Sequence, residues 1–449
     1  MRELLYITPY FPPQSQVGAL RPLKFVRHLP ALGWLPVVLA DLWPSDAVDV
    51  SLRAEVPAEV PVIFDYSHRA ARTLLALPER QAHAKTAPRR KIDWERYLPS
   101  WLNRPELLPL AEHSPDMLYA YRSGLRVLQA HPKIEVLLVN ADPWAACLVG
   151  AALARKTGLP LVLDLRDPWA PCELRRPRKP FPIRWIDDRL ERQAVQKAER
   201  VIVNSRTALA DYRRHYADQP PEKFTFIRNH FDRALVSHGS HLGFDRFTLL
   251  ILGRFDRYVR PDVLLHALAQ LAARGVGPAE LQLVVTGAFD EAGQSLAKSL
   301  HVEQFLHLTD HVPYAQVGAV MHAADVLVAV LQPGVSQRVN AKLYDYLGTD
   351  RPILVVADSE EVREIVNQAG GGQVLAHGQP AALADAVVAL MRQGRRRCEA
   401  RNSEAFSSQT ATLALTQVLD AAVTAMQARV QGRIAQDAGD LAQATKENP

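Results

Sequence analysis

Short apolar runs alternate along the chain with longer segments of helical periodicity. The runs are continuous rather than interrupted by polar residues, which predicts strands buried on both faces of a parallel sheet. In the first half, the predicted strands are residues 4–8, 36–40, 62–65, 136–140, 161–165, 200–204 and 224–228, and predicted helices between them include 21–32, 144–157 and 186–199. The first half is therefore predicted to be a doubly wound α/β domain.

The same alternation starts again after a polar, glycine-containing stretch at residues 238–245, which is typical of a linker. The predicted strands are then 247–252, 281–286, 305–308, 326–329 and 353–356, with helices at 261–274, 314–323, 341–347 and 380–393. The pattern predicts an N-terminal Rossmann-like domain over residues 1–240, a C-terminal one over 246–400 and a helical tail over 401–449. Two such domains whose strands end towards each other form a cleft that binds a ligand.

Composition narrows the class of protein. The chain has 449 residues, of which 48% are hydrophobic and 22% charged, so disordered and collagen-like proteins are excluded. Its three cysteines, Cys147, Cys172 and Cys398, are too few and too scattered for a disulfide framework or a cysteine-based zinc site. With no signal-peptide pattern and no long uncharged apolar run, we expect a cytoplasmic protein.

Basic residues concentrate in two segments. The segment from Arg69 to Arg104 contains nine Lys and Arg but three Asp and Glu, together with Trp94 and Trp101. Residues 175–200 are also basic. Such segments suit peripheral contact with anionic lipid at the inner face of the plasma membrane, through residues 69–110 and 175–200. A solvated linker and one solvated helix face are the alternative. Nucleic acid is not expected as a partner, because no nucleic-acid module accompanies the charge.

A proline-rich loop with a single glycine, Gly18, follows the first predicted strand and leads into a helix. Glycine lets the backbone approach a ligand, and free N–H groups at a helix N-terminus bind phosphate. One glycine is not a dinucleotide-binding fingerprint, and the chain contains no P-loop motif. A plain connecting turn is the alternative interpretation.

Two segments of the second half carry cations where a phosphate could bind. One strand ends at Gly253 and runs into Arg254, Arg257 and Arg260, and arginine can hold a diphosphate through paired hydrogen bonds. Later, Lys342 and Asp345 are three positions apart on a short predicted helix, so they share a face. Lysine and a carboxylate would bind the phosphate and ribose ends of a nucleoside diphosphate. A solvated turn and a surface ion pair are the respective alternatives.

Taken in order, these segments resemble the family-four glycosyltransferases of bacterial polysaccharide and cell-surface glycan synthesis, which have the GT-B fold. The resemblance extends over about 350 residues, an extent that argues for family and fold together. It rests on the Gly18 loop and on residues 164–169 (DLRDPW), 203–205 (VNS), 253–268, 311–330 and 342–354 (KLYDYLGTDRPIL).

The resemblance implies a retaining, metal-independent transfer of a sugar from a nucleoside-diphosphate sugar to a glycan or lipid-linked acceptor, with no cofactor. Arg254 and Lys342 would stabilise the departing diphosphate. Gly18, Gly253, Arg257, Arg260, Val312, Lys342 and Asp345 would bind the donor, and Asp164, Arg166 and Asp167 would face the acceptor.

The chain departs from the family pattern at two places. Gln337 and Asp345 stand where the family usually has glutamates at the ends of an E-x7-E motif, and residues 140–144 (NADPW) lack a histidine that some relatives have. The catalytic assignment therefore stays open. Two other functions remain, a catalytically silent GT-B subunit and a nucleotide-sugar epimerase, although carboxylates and histidines for elimination chemistry are not evident.

Overall fold

The first half of the chain folds around a fully parallel sheet. A computed structural model describes residues 1–41, 48–67, 116–141, 143–237, 243–256, 258–309, 312–394, 398 and 402–447. Within these residues the first sheet contains β1 (Arg2–Ile7), β2 (Trp34–Ala40), β3 (Val62–Phe64), β4 (Ile134–Ala141), β5 (Leu161–Leu165), β6 (Arg200–Val203) and β7 (Phe224–Phe226), in the order β3-β2-β1-β4-β5-β6-β7. The order reverses between β1 and β4.

A second parallel sheet follows in the other half. Its described strands are β8 (Phe247–Leu252), β9 (Leu281–Thr286), β10 (Leu306–Thr309), β11 (Val326–Val330), β12 (Ile353–Val356) and β13 (Gly372–Leu375), in the order β10-β9-β8-β11-β12-β13. Here the order reverses between β8 and β11. These two sheets confirm the prediction of two doubly wound domains, and ligands bind such sheets beyond the carboxyl ends of the strands, where the order reverses.

Helices cover both faces of each sheet. Those of the first half are α1 (Val17–His28), α2 (Met117–Ala130), α3 (Ala145–Thr157), α4 (Phe181–Lys197), α5 (Arg206–His215) and α6 (Arg233–Ser237). Those of the second half are α7 (Asp262–Ala273), α8 (Glu291–Ser299), α9 (Tyr314–Ala323), α10 (Ala341–Leu347), α11 (Glu360–Ala369), α12 (Pro380–Gln393) and α13 (Ser408–Glu447).

Side chains alternate between two cores along each strand. In β1, Leu5 and Ile7 pack with α3, whereas Leu4 and Tyr6 pack on the opposite face, where α1 and α13 lie. Because both faces are buried, each strand needs apolar residues at successive positions, which is the pattern that the sequence shows.

The helix α1 begins earlier than predicted, at Val17 rather than Arg21. Gly18 therefore lies in the first turn of a helix and not in the loop before it. Pro22, which suggested a helix start, lies inside the helix. A proline in the second turn removes one backbone hydrogen bond, and the burial of Leu23, Phe25 and Val26 maintains the helix.

The long helix α13 returns to the first domain after the second domain is complete. Its residues Leu415 and Leu419 are fully buried against the first sheet, and Arg2 donates a hydrogen bond to Asp420. The last helix of the chain therefore packs on the first domain. None of the helices in the described ranges combines the length and the apolar character that a membrane span requires.

Candidate functional site

A narrow pocket of about 20 Å³ lies between the two domains. It is lined by Val17, Leu20, Arg21 and Lys24 of α1, by Asn229 and His230, and by Ala341, Lys342 and Asp345 of α10. Both helices have their N-terminal turns at this boundary. The structure therefore brings the turn that contains Gly18 close to Lys342 and Asp345.

Lys342 is held in the first turn of α10. The Asn340 side chain caps this helix by accepting a hydrogen bond of 2.9 Å from the Lys342 backbone N–H. Burial lowers the pKa of the Lys342 ammonium, with Asp345 opposing this shift and Lys24 adding to it. Its ammonium makes no ion pair within the described residues, so it is available to an anionic ligand.

Asp345 instead pairs with the other domain. Lys24 donates hydrogen bonds of 2.7 Å both to Asp345 Oδ1 and to the backbone carbonyl of His230. Both partners are nearly fully buried, with exposed fractions of 3% for Asp345 and 4% for Lys24. A ribose diol that bound Asp345 would therefore have to compete with Lys24.

Arg166 lies against Gly18. A Cβ atom at position 18 would stand 2.7 Å from Arg166 Nη1, so only glycine fits without moving the guanidinium. The arginine expected on the acceptor side is thus adjacent to the N-terminal turn expected to bind the donor. Arg166 also lies 3.8 Å from Asp167, which follows it in the chain.

The second-domain strand β8 ends at a left-handed glycine, Gly253, with φ of 138°. The end of β9 has the same feature at Gly287, where a Cβ atom would lie 2.3 Å from the Gly253 carbonyl oxygen. These two turns pass each other too closely for any side chain at Gly287, a constraint that the sequence analysis missed.

The arginines after β8 do not line the pocket. Arg254 has 74% of its side chain exposed and pairs with Asp256 at 3.1 Å, and Arg260 pairs with Asp262. Arg257 lies outside the described residues. Val312 is partly buried and packs against the core of the second domain. Of these residues expected to bind the donor, Lys342 and Asp345 line the pocket, whereas Arg254 and Arg260 do not.

Asp164 does not face the cleft, contrary to expectation. It is 1% exposed, and its two oxygens accept hydrogen bonds of 2.9 Å from Arg21 Nε and Nη2. Asn140 also donates to it. The difference arises because the end of β5 lies against α1. Asp164 there neutralises Arg21 and so fixes the helix that contains Gly18.

Asp167 meets the second domain. Arg338 Nη1 lies 3.4 Å from Asp167 Oδ1 across the boundary. Burial acts to raise the pKa of Asp167, but the guanidinium groups of Arg338, Arg166 and Arg175 together lower it below the ordinary value. Three arginines therefore lie around this one carboxylate.

A second set of contacts joins the domains at Gln337, the residue that departs from the family pattern. Its side chain donates to the Pro171 carbonyl at 2.9 Å and to Asp211 at 2.6 Å, and it accepts from the Glu173 backbone at 2.8 Å. Glu173 in turn accepts from the backbone N–H groups of Ser336 and Gln337, each at 2.6 Å. We call this reciprocal set of contacts between Glu173 and Ser336–Gln337 the interdomain clasp.

Lys24 and Glu173 are the site residues that sequence reasoning missed. Each acts through a partner in the other domain, and Lys24 is separated from Asp345 by 321 positions. No local spacing marks such a pair, since neither residue belongs to a motif that can be read from one segment.

Two family models match the chain in adjacent regions. Residues 86–235 match the model described as Glycosyltransferase Family 4, and residues 246–393 match Glycosyl transferases group 1. Among curated proteins, the D-inositol 3-phosphate glycosyltransferase of Corynebacterium efficiens is 25% identical over 233 residues, covering 48% of this chain and 54% of that protein. That of an Arthrobacter species is 30% identical over 209 residues, covering 44% and 48%. The chain thus matches about half the length of these relatives.

Solved structures share the fold over nearly the whole chain. Sucrose-phosphate synthase from Thermosynechococcus elongatus has a TM-score of 0.61 at 14% identity, covering 97% of this chain and all of that one. HepE of Anabaena, solved with UDP and glucose, has a TM-score of 0.58 at 16% identity and covers 94% of this chain and all of that one. The two family models match consecutive regions of the chain, and its two-domain fold is shared with the solved structures. This chain therefore belongs to the family-four glycosyltransferases of GT-B fold.

Proposed function

We propose that the protein transfers a sugar, with retention of anomeric configuration, from a nucleoside-diphosphate sugar to a glycan or lipid-linked acceptor. The observation that carries the proposal is the pocket between the domains, which joins the α1 N-terminal turn to Lys342 and Asp345. A helix N-terminus and an unpaired ammonium together favour a diphosphate. The structures of HepE contain UDP and UDP-glucose, so uridine nucleotides are the first donors to test.

Donor binding needs the domains to separate, because the pocket is too small for a nucleotide as it stands. Asp345 then exchanges Lys24 for the ribose hydroxyls, and Lys342 binds a phosphate. Arg254 completes the site from the surface. Its ion pair with Asp256 is exposed, and exposed pairs contribute at most about 1 kcal/mol, so the guanidinium can turn towards a donor phosphate at little cost.

In the proposed reaction, the bond between the sugar C1 and the diphosphate oxygen breaks, and C1 bonds to the acceptor oxygen on the same face. The proton of the acceptor hydroxyl passes to a phosphate oxygen of the departing diphosphate. Lys342 and Arg254 stabilise the negative charge that develops there. This step uses neither a metal ion nor a side-chain base, and we expect activity to persist in the presence of a chelator.

The acceptor would approach from the loop after β5. Asp167 there lies among the guanidinium groups of Arg166, Arg175 and Arg338, which can bind an anion. That arrangement favours an acceptor with a phosphate or carboxylate group. The curated relatives are named for inositol 3-phosphate as their substrate, which agrees with an anionic acceptor.

The first test combines calorimetry with a transfer assay over UDP-, GDP- and dTDP-sugars. Wild type should bind one nucleoside diphosphate, and Lys342→Ala and Arg254→Ala should each slow transfer by about 100-fold or more. Lys156→Ala is the matched control, since Lys156 is exposed in the last turn of α3, at the end remote from the cleft. Transfer within a few-fold of wild type in both cleft variants would refute these roles.

The same assay separates the other functions. A silent subunit would bind none of the nucleotides, and an epimerase would interconvert sugars without consuming an acceptor. Release of the nucleoside diphosphate that depends on the acceptor, with Lys156→Ala equal to wild type, is the result that we expect.

A further inference from the structure

The outer face of helix α4 exposes two large aromatic side chains. Phe181 is 71% exposed and Trp185 is 57% exposed, which is unusual for residues of this size. They are four positions apart on the helix, so they lie one turn apart on the same side. The preceding Pro177 and the adjacent Pro182 are also exposed. Together these residues form an apolar edge, which we call the aromatic edge.

The inner face of α4 is fixed, so the exposure of these rings does not arise from a loosely packed helix. Asp187 is buried between Lys179 and the indole N–H of Trp169, and Glu191 accepts a hydrogen bond from the Ala170 backbone N–H. These contacts tie α4 to the loop that follows β5 and contains Asp167. The aromatic edge is thus rigidly connected to the acceptor side of the cleft.

One arginine contacts the aromatic edge, and two more lie near it in the sequence. The Arg189 guanidinium lies 5.9 Å from the centre of the Trp185 ring, and Arg184 and Arg178 are close in sequence to the same face. None of the three makes an ion pair with a carboxylate within the described residues. The nearby Asp188 already pairs with Arg176 and His215. The aromatic edge thus has an arginine beside it, Arg189, that no carboxylate of the described residues neutralises.

The aromatic edge also lies near the mouth of the cleft. Arg178, three residues before Phe181, stacks over the ring of Tyr258 in the second domain at 5.9 Å. A partner that covers Phe181 and Trp185 would accordingly sit beside the boundary at which donor and acceptor meet.

We propose that the aromatic edge docks on a bilayer of anionic phospholipids. Aromatic side chains with a basic surround match the boundary between acyl chains and negatively charged headgroups, because the rings enter the apolar layer while the guanidinium groups bind phosphates. This proposal rests on the proposed function, from which the lipid-linked acceptor is taken. It adds that the loop after β5, from which the acceptor would approach, lies at the membrane surface.

Sedimentation with vesicles tests the proposal on the full chain. Wild type should bind vesicles of phosphatidylcholine and phosphatidylglycerol in equal parts, and bind pure phosphatidylcholine much more weakly. The double variant Phe181→Ser/Trp185→Ser should need at least about tenfold more lipid for half-saturation. Arg184→Gln/Arg189→Gln should lose the preference for anionic vesicles. The matched control is Leu413→Ser/Val430→Ser, which removes two exposed apolar residues of α13 and should bind like wild type.

Two results would overturn the proposal: wild type that does not bind anionic vesicles, or a Phe181→Ser/Trp185→Ser variant that binds them as well as wild type does. Brominated lipids add a direct readout, because they should quench the fluorescence of Trp185. Trp185→Phe should lose that quenching while still binding the vesicles. Nucleotide binding and donor hydrolysis in the absence of vesicles report on the proposed function separately. Failure of one proposal is therefore distinguishable from failure of the other.

Discussion

Lys342 illustrates how one side chain gains reactivity from its surroundings. Its position in the first turn of α10 is fixed by the Asn340 cap, while its carboxylate neighbour Asp345 is engaged by Lys24. The ammonium is consequently left beside a second cation in a largely buried place. Burial and Lys24 lower the pKa of Lys342, and Asp345 only partly opposes them. A group of this kind favours a ligand that brings negative charge.

The pH dependence of donor use should report this lowered pKa. In the free enzyme, the ammonium loses its proton as the pH rises through its pKa, and the neutral amine binds phosphate poorly. We therefore expect kcat/KM for the donor to fall with rising pH below the ordinary lysine range. Lys342→Arg should have a lower kcat/KM at pH 7, because the guanidinium is bulkier, but no such fall, because it stays charged. Profiles between pH 7 and 10 that are identical for the two proteins would contradict this assignment.

Helix α4 shows how a whole element positions a site by means of polar contacts. Glu191 is 1% exposed and accepts hydrogen bonds from Tyr212, Tyr216 and the Ala170 backbone, with no cation among these partners. Burial raises its pKa to about 7, although these hydrogen bonds oppose the shift. The helix is thus attached to the loop that follows β5 through a carboxyl group whose pKa burial raises to about 7.

Stability should depend on pH through Glu191. Between the unfolded pKa of 4.5 and the folded pKa of about 7, the unfolded chain releases its proton first, so rising pH destabilises the fold by at most about 3 kcal/mol. Glu191→Gln cannot ionise. Its lost hydrogen bonds give a constant offset, and we expect its thermal midpoint relative to wild type to rise between pH 5 and pH 8.

Glu222→Gln provides the control for this measurement, since Glu222 is exposed and its replacement should leave the pH dependence unchanged. A difference between wild type and Glu191→Gln that is the same at pH 5 and pH 8 would show that Glu191 is already ionised in the fold at low pH.

Helices and strands could be predicted from the sequence where a single hydrophobic pattern determined them. Buried strands such as β8 and β9 have the predicted bounds, because a continuous apolar run has few alternative structures. The edge strand β13 was missed, since its glycine and glutamine lie at the border of the sheet, and the start of α1 was misplaced by Pro22. In the site, Lys342 and Asp345 share a helical face that spacing reveals. The partner of Asp345, Lys24, comes from another segment, and only the tertiary fold brings it there.

At the scale of the whole molecule, polar contacts across the boundary hold the domains together. Asp49 accepts a hydrogen bond of 2.6 Å from the Tyr314 backbone N–H, and Glu361 accepts from the backbone of Arg206 and Thr207. The interdomain clasp and the pair of Lys24 with Asp345 add to them. Hydrogen bonds across the boundary can be replaced by hydrogen bonds to water, at a lower cost in free energy than exposing a large apolar interface. The arrangement therefore suits domains that open for a donor and close again.

Gln337 provides the sharpest test of this closed arrangement. Its amide group donates to the Pro171 carbonyl and to Asp211, and a carboxylate at this 2% exposed position could donate to neither. Gln337→Glu restores the residue usual in the family but places a buried charge against two acceptors, at a cost of about 3 kcal/mol or more. We expect a larger radius of gyration by X-ray scattering at pH 8, with a lower thermal midpoint. Adding Asp211→Asn supplies a donor to the new carboxylate and should restore much of both values. If Gln337→Glu alone stayed as compact and as stable as wild type, the two hydrogen bonds that the Gln337 amide donates would not be what holds the domains closed.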